Sequence, residues 1–197
     1  LKGGHSGSDI HLQRASAIKL MGRFLYEIEN LCCLCEITGG NKDNAIPRET
    51  KAIICADDKN IAAIKEKSEE FEKIFNHEYL NVEYGIKINV ETINTEIKSI
   101  LSKDTFSTAL DMLNLIPYGV VTMSMNMKGL VESSTNIGVI RTYDDKITVI
   151  SAPRSSVISR RDIIEKQFES IARLCGASLV VRGKYPAWEY RVFFVFP

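Results

Sequence analysis

Apolar residues recur every three or four positions in four stretches of the chain, the spacing that puts side chains on one face of an α-helix. These stretches cover residues 12–29, 59–76, 103–115 and 159–174. Asp9 is a suitable N-cap for the first predicted helix. Ser159 and Asp162 have the spacing of a capping box at the start of the last helix. The pattern therefore predicts four amphipathic helices.

Shorter apolar or alternating runs predict β-strands between these helices and after the last of them. They cover residues 31–38, 50–56, 81–93, 136–142, 147–152 and 178–182. Turn-forming residues at 39–44 and 143–146 are expected to close two hairpins. The segment 118–128 is predicted to be an extended or loop connection. Its methionines either fill gaps in the core or form a binding surface.

The order hairpin, helix, strand occurs twice along the chain. It predicts an α+β fold in which helices pack on one face of antiparallel sheets, with two similar strand-strand-helix-strand subdomains. The first subdomain is expected at residues 1–95 and the second at 130–190, joined by a connecting helix and loop at 96–129. The apolar tail at 191–197 is either an additional strand or a sequence artefact.

Charge and hydropathy exclude two classes of partner. The chain of 197 residues has 25 Lys and Arg against 25 Asp and Glu. It therefore lacks the basic excess that binds nucleic acid or an anionic membrane surface. No apolar run approaches the ~20 residues of a membrane span. We expect partners other than nucleic acid or a membrane.

The five cysteines do not have the spacing of a disulfide framework, because their number is odd and Cys32, Cys33 and Cys35 lie within four residues. This usage favours a reducing compartment and hence a cytoplasmic location. The cluster is either a set of buried strand cysteines, which behave as small apolar side chains, or a metal or redox site.

The first residues of the chain crowd three glycines around His5. This motif and several later ones occur in the same order as in one known family. The motifs are Gly3–Gly7 with Asp9, His11 and Arg14, then Asn44–Glu49, Gly129–Ser134 with Asn136 and Gly138, Arg154–Ser156, Pro186 and Trp188. Over residues 1–188 the sequence resembles the lid domain of aminoacyl-histidine dipeptidases, which belong to the dinuclear zinc exopeptidases. The resemblance implies a ferredoxin-like lid that covers the active site and forms dimer contacts.

The resemblance also implies site residues and partners. His5 would stabilise the oxyanion, in dimeric relatives at the active site of the partner subunit. Asn44 would face the substrate, and Arg154 would bind the C-terminal carboxylate of a dipeptide. Two zinc ions would be held by a catalytic domain of the same polypeptide, which this chain lacks. The parent enzyme would be a homodimer that hydrolyses Xaa-His and related dipeptides.

The residues themselves predict no self-contained active site. The chain has three histidines and none of the spaced His, Asp and Glu motifs that bind catalytic zinc. Because it begins at Leu1 without an initiator methionine, we expect it to be part of a longer protein, and the isolated chain to be inactive. The alternative is a free-standing interaction module whose exposed sheet edge pairs with itself or another protein.

Overall fold

The computed structural model describes residues 1–94, 96–97 and 99–183. The strands are β1 (Gly4–His5), β2 (Cys33–Gly39), β3 (Ala45–Ile46), β4 (Thr50–Cys55), β5 (Gly119–Met123), β6 (Val131–Thr135), β7 (Ile137–Thr142), β8 (Ile147–Ser151) and β9 (Arg154–Ser155). The helices are α1 (Ala17–Ile28), α2 (Asp58–Glu78), α3 (Lys103–Leu115) and α4 (Ile158–Leu174). The expectations for Pro186, Trp188 and the tail 191–197 lie outside the described residues.

The fold is α+β with antiparallel sheets, as the sequence predicts. The largest described sheet has the strand order β4-β2-β7-β8, so both predicted hairpins join one sheet through the β2–β7 pair. A second sheet has the order β5-β6-β9, and a short ladder pairs β1 with β3. The subdomain boundaries at 1–95, 96–129 and 130–190 stay a prediction.

The central β2–β7 pairing depends on a close approach of two backbones. Gly40 has φ +64°, and a Cβ added there would lie 1.9 Å from the carbonyl oxygen of Gly138. A Cβ at Gly138 would lie 2.5 Å from Cα of Asp43. Only glycine leaves the space for this contact. The turn at 40–44 is therefore packed directly on β7.

The core lies between the four-stranded sheet and helices α1, α2 and α3. Helix α1 packs against α2, α3 and the sheet. Phe71 meets Phe75 edge to face, with ring centroids 5.5 Å apart, and Phe24 lies beside Phe71. Burial of one such aromatic side chain stabilises a fold by about 1.5–3 kcal/mol. The apolar face predicted for residues 103–115 is also buried, through Phe106, Leu110 and Leu113.

Two predicted helix starts are wrong. A 3₁₀ helix at Ile10–Leu12 precedes α1, and Gln13 in the left-handed region separates the two. Asp9 therefore stands before the 3₁₀ helix, whereas Ser16 occupies the N-cap position of α1. In α4 the N-cap position is Val157, with no side-chain cap. Ser159 lies inside the helix, because the chain already turns into helix at Ile158.

Two predicted strands are absent from the described residues. Residues 81–93 form no ladder, since the backbone N–H and carbonyl of Ile86 bond to the side chain of Asn76 on α2. Tyr84 is 81% exposed, although the alternating pattern places it on the same face as Ile86. Residues 178–182 are described without strand pairing. The alternation at 81–93 thus arises from packing against α2 and not from a sheet.

The methionine-rich connection adopts the extended form over part of its length, as β5. Met123, Met125 and Met127 are 47%, 89% and 39% exposed. They do not fill the core, because the β5–β6 hairpin carries them into solvent. The core-filling interpretation is therefore wrong for these three side chains.

Candidate functional site

A cavity of about 400 Å³ lies between the N-terminal loop, the start of β6 and β9. Two of the predicted site residues, His5 and Arg154, both line it. They are 149 positions apart in sequence and meet because β9 pairs with β6 next to the N-terminal loop. The other lining residues with polar side chains are Ser8, His11, Glu132, Ser134, Ser155 and Ser156.

The imidazole of His5 is held in one tautomer by the loop that follows it. Its Nδ1 accepts hydrogen bonds from the backbone N–H groups of Gly7 and Ser8, each at 3.1 Å. Because an amide N–H can only donate, Nδ1 carries no proton in this arrangement. The neutral ring therefore carries its proton on Nε2. His5 is exposed, so this Nε2–H is a donor available to a ligand.

Two further contacts fix the backbone at His5. Its N–H donates to Oδ2 of Asp9 at 2.8 Å, and Asp9 lies 3.8 Å from the guanidinium of Arg14. The N–H of Ser6 donates to the carbonyl oxygen of Asn44 at 2.9 Å. Asp9 and Arg14 therefore shape the loop.

His5 and Arg154 both lie close to Gly7 in the wall of the cavity. A Cβ added at Gly7 would lie 2.8 Å from Nη1 of Arg154 and 3.0 Å from Cε1 of His5. The absence of a side chain at Gly7 thus leaves space for the imidazole and the guanidinium to lie near each other. This spacing places a hydrogen-bond donor and a cation within reach of one small ligand.

Asn44 lies beside the cavity and is not among the described residues that line it. Its neighbour Ala45 pairs with His5 in the β1–β3 ladder. Asn136 holds this segment, since its Nδ2 donates to the carbonyl oxygens of Asp43 at 2.9 Å and Ala45 at 2.8 Å. The structure therefore places Asn44 next to His5 through the backbone. The roles predicted for His5, Asn44 and Arg154 stay predictions.

Sequence reasoning missed Glu132 as a cavity residue. Its side chain is 13% exposed, and its Oε1 lies 3.3 Å from Nε of Arg160. Glu132 belongs to the Gly129–Ser134 motif, which was the available signal. The ion pair with Arg160 joins the β6 wall of the cavity to α4.

Two of the three clustered cysteines, Cys32 and Cys35, do not have the properties of reactive or metal-binding thiols. Burial raises the pKa of Cys35 to about 12, and a hydrogen bond from its thiol to Cys55, with Sγ atoms 3.4 Å apart, acts in the same direction. Burial also raises the pKa of Cys32 to about 11. Metal ligation and nucleophilic attack need the thiolate. These two residues are therefore protonated at neutral pH.

The described residues do not fit a zinc site. Across this part of the chain, no three His, Cys, Asp or Glu side chains converge in a way that could hold a metal ion. The cavity has two histidines and one glutamate in its lining, and that glutamate is paired with an arginine. The cavity can thus bind and polarise a ligand, whereas metal chemistry would need residues from elsewhere.

Comparison with known proteins relates the first part of the chain to a domain of peptidases. Residues 1–83 match the family model described as the peptidase dimerisation domain. No helix within the described ranges combines the length and the hydrophobicity needed to cross a lipid bilayer.

The chain is homologous to dipeptidases over nearly its whole length. It is 32% identical over 193 residues to the cytosol non-specific dipeptidase of Escherichia coli (strain K12), covering 96% of this chain and 39% of that protein. Its structure is similar to that of the aminoacylhistidine dipeptidase from Vibrio alginolyticus, with a TM-score of 0.86 and 34% identity. That match covers 96% of this chain and 39% of the solved chain. The chain therefore spans about two fifths of the length of these two relatives.

Proposed function

We propose that this chain is the substrate-covering and dimerisation domain of a cytoplasmic dipeptidase that hydrolyses Xaa-His and related dipeptides. The observation that carries the proposal is the meeting of His5 and Arg154 in one cavity. Its volume of about 400 Å³ lies in the range of small-ligand sites. Homology to dipeptidases supports the reaction class.

In this proposal the two side chains recognise opposite features of a dipeptide. The Nε2–H of His5 donates to the carbonyl oxygen of the scissile bond as negative charge develops there. The guanidinium of Arg154 pairs with the C-terminal carboxylate through two parallel hydrogen bonds. Asn44, held beside His5, faces the same substrate. Together these groups would orient the peptide against a catalytic centre outside this chain.

The catalytic centre is proposed to lie in the part of the parent polypeptide that this chain does not cover. The resemblance implies two zinc ions there, which the described residues do not hold. The parent enzyme is proposed to be a homodimer, in keeping with the family description of the matched domain. In that dimer His5 would complete the active site of the partner subunit.

The test is a pair of substitutions in the full-length parent enzyme. Replacing His5→Ala removes the donor, and loss of one oxyanion donor lowers kcat by about 10²–10³-fold. Arg154→Ala is expected to act mainly on KM, because the carboxylate is bound in both ground and transition states. His77→Ala, an exposed residue of α2, is the matched control and should leave both constants unchanged. An unaltered kcat in His5→Ala would exclude the proposed catalytic role.

A second candidate is the free-standing interaction module. It is favoured by the four-stranded sheet, in which β4 and β8 are the outer strands among the described residues. Such edges can pair with another chain. The coding sequence on both sides of this segment discriminates the two candidates. Flanking metal-ligand motifs support the dipeptidase domain, whereas start and stop codons close to the segment support the module. Sedimentation at several concentrations measures self-association directly.

A further inference from the structure

Glu83 is a buried carboxylate without an ion-pair partner among the described residues. Its side chain is 5% exposed, and none of the described salt bridges includes it. Burying an unpaired charge costs free energy unless hydrogen bonds compensate it. We therefore expect the carboxylate of Glu83 to be stabilised by hydrogen bonds.

Both oxygens of Glu83 bind the ends of the loop that carries His5. Oε2 accepts from the backbone N–H of Lys2 at 2.8 Å, and Oε1 accepts from the backbone N–H of Ala15 at 3.2 Å. One carboxylate thus bridges two positions that are 13 residues apart in sequence. The two carboxylate oxygens thus supply one acceptor to each end of the loop.

The position of Glu83 is itself fixed by the end of α2. Its backbone N–H donates to the carbonyl oxygen of Tyr79 at 2.9 Å, at the C-cap of the helix. At the other end of the loop, the hydroxyl of Tyr118 donates to the carbonyl oxygen of Arg14 at 2.6 Å. The loop is therefore attached to the core at its base, while His5 extends from it towards the cavity.

We propose that Glu83 is a positioning residue for His5, because its carboxylate joins both ends of the 2–15 loop to α2 and so sets where the imidazole stands against Arg154. This inference rests on the proposed function for its catalytic consequence. Its structural part is independent of that function. A misplacement of a catalytic group by about 1 Å can cost on the order of 10²-fold in rate.

The first test measures the 197-residue chain itself by NMR. In Glu83→Gln the side chain keeps its shape but presents an NH₂ group to one of the two backbone donors. The amides of Lys2 and Ala15 should exchange faster, as any structural role would predict. The positioning role adds faster exchange at Gly7 and Ser8 and a changed ¹⁵N shift of the His5 ring. Glu91→Gln, an exposed residue with no such contact, is the matched control.

Faster exchange confined to Lys2 and Ala15, with Gly7, Ser8 and His5 unchanged, would overturn the inference. If Glu83→Gln does not give folded protein, Glu83→Asp serves the same test, because its shorter carboxylate can reach only one end of the loop. The expected and overturning results are the same for both variants.

The second test measures kinetics in the full-length parent enzyme. Glu83→Gln is expected to lower kcat about tenfold with KM changed less than twofold, because binding by Arg154 is retained. A normal kcat in Glu83→Gln beside a reduced kcat in His5→Ala would refute the positioning role alone. A normal kcat in His5→Ala would refute the proposed function, and the NMR result would then decide the positioning role by itself.

Discussion

Asn136 gives the sharpest stability prediction, because a single side chain holds the segment that carries Asn44. It is fully buried, and its Nδ2 donates to the carbonyl oxygens of Asp43 and Ala45. Asn136→Ala removes both donors and leaves two carbonyls without these partners. Each lost partner costs about 1–3 kcal/mol when the group is shielded from water. Asp43 lies in the turn and Ala45 in β3, and both hydrogen bonds are part-buried, so we expect a total loss of about 2–4 kcal/mol.

Urea or thermal unfolding of the 197-residue chain measures this loss. For a protein of this size the midpoint of thermal unfolding should fall by roughly 5–15 °C. Asn81→Ala is the matched control, because its side chain is exposed, and surface changes of this kind stay within about 0.5 kcal/mol. A loss in Asn136→Ala no greater than in the control would refute the reasoning.

Asn136→Asp sharpens the same test, because it replaces the donor by an acceptor of equal size. At pH 7 a carboxylate facing two carbonyl oxygens should be less stable than alanine at this position. Burial and the facing carbonyls should raise the pKa of the introduced carboxyl above its unfolded value. The folded state then binds a proton at higher pH than the unfolded state, so stability should recover as pH falls from 7. Equal stability of the Asp and Ala variants at pH 7 would contradict this account.

Two further predictions concern titrating side chains. At pH 8, iodoacetamide should modify the exposed Cys33 first and Cys35 last, because burial raises the pKa of Cys35 to about 12. Mass spectrometry of digests taken at successive times should show this order. Earlier labelling of Cys35 would contradict it. Burial, and to a smaller extent the charge of Arg23, lower the pKa of Lys19 from 10.5 to about 8. Between pH 8 and pH 10.5 the Lys19 amine is therefore protonated in the unfolded chain and largely neutral in the folded chain. Stability should therefore gain about 1–2 kcal/mol from Lys19 as pH rises through that window, after allowance for solvent screening. Urea unfolding should show a smaller rise in Lys19→Met, and parallel pH profiles would refute the assignment.

Much of the architecture could be predicted from local pattern. The spacing of Phe106, Leu110 and Leu113 predicts the helix observed at Lys103–Leu115, because amphipathic periodicity reports directly which face is buried. The turn residues at 39–44 and 143–146 predict the two hairpins for a similarly local reason. The motifs around His5 and Arg154 carry the resemblance that predicts both as site residues. That the two line one cavity is visible only in the structure.

The sequence by itself determined which segments are helical, where the hairpins turn and which motifs contain the candidate site residues. Tertiary structure alone decided that both hairpins share one sheet, that residues 81–93 bond to α2 instead of forming a strand, and that Glu83 closes the His5 loop. Periodicity records only whether a side chain is buried and not what it contacts. The bonds of Glu83 and Asn136 join residues 68 to 93 positions apart, so no local pattern could contain them.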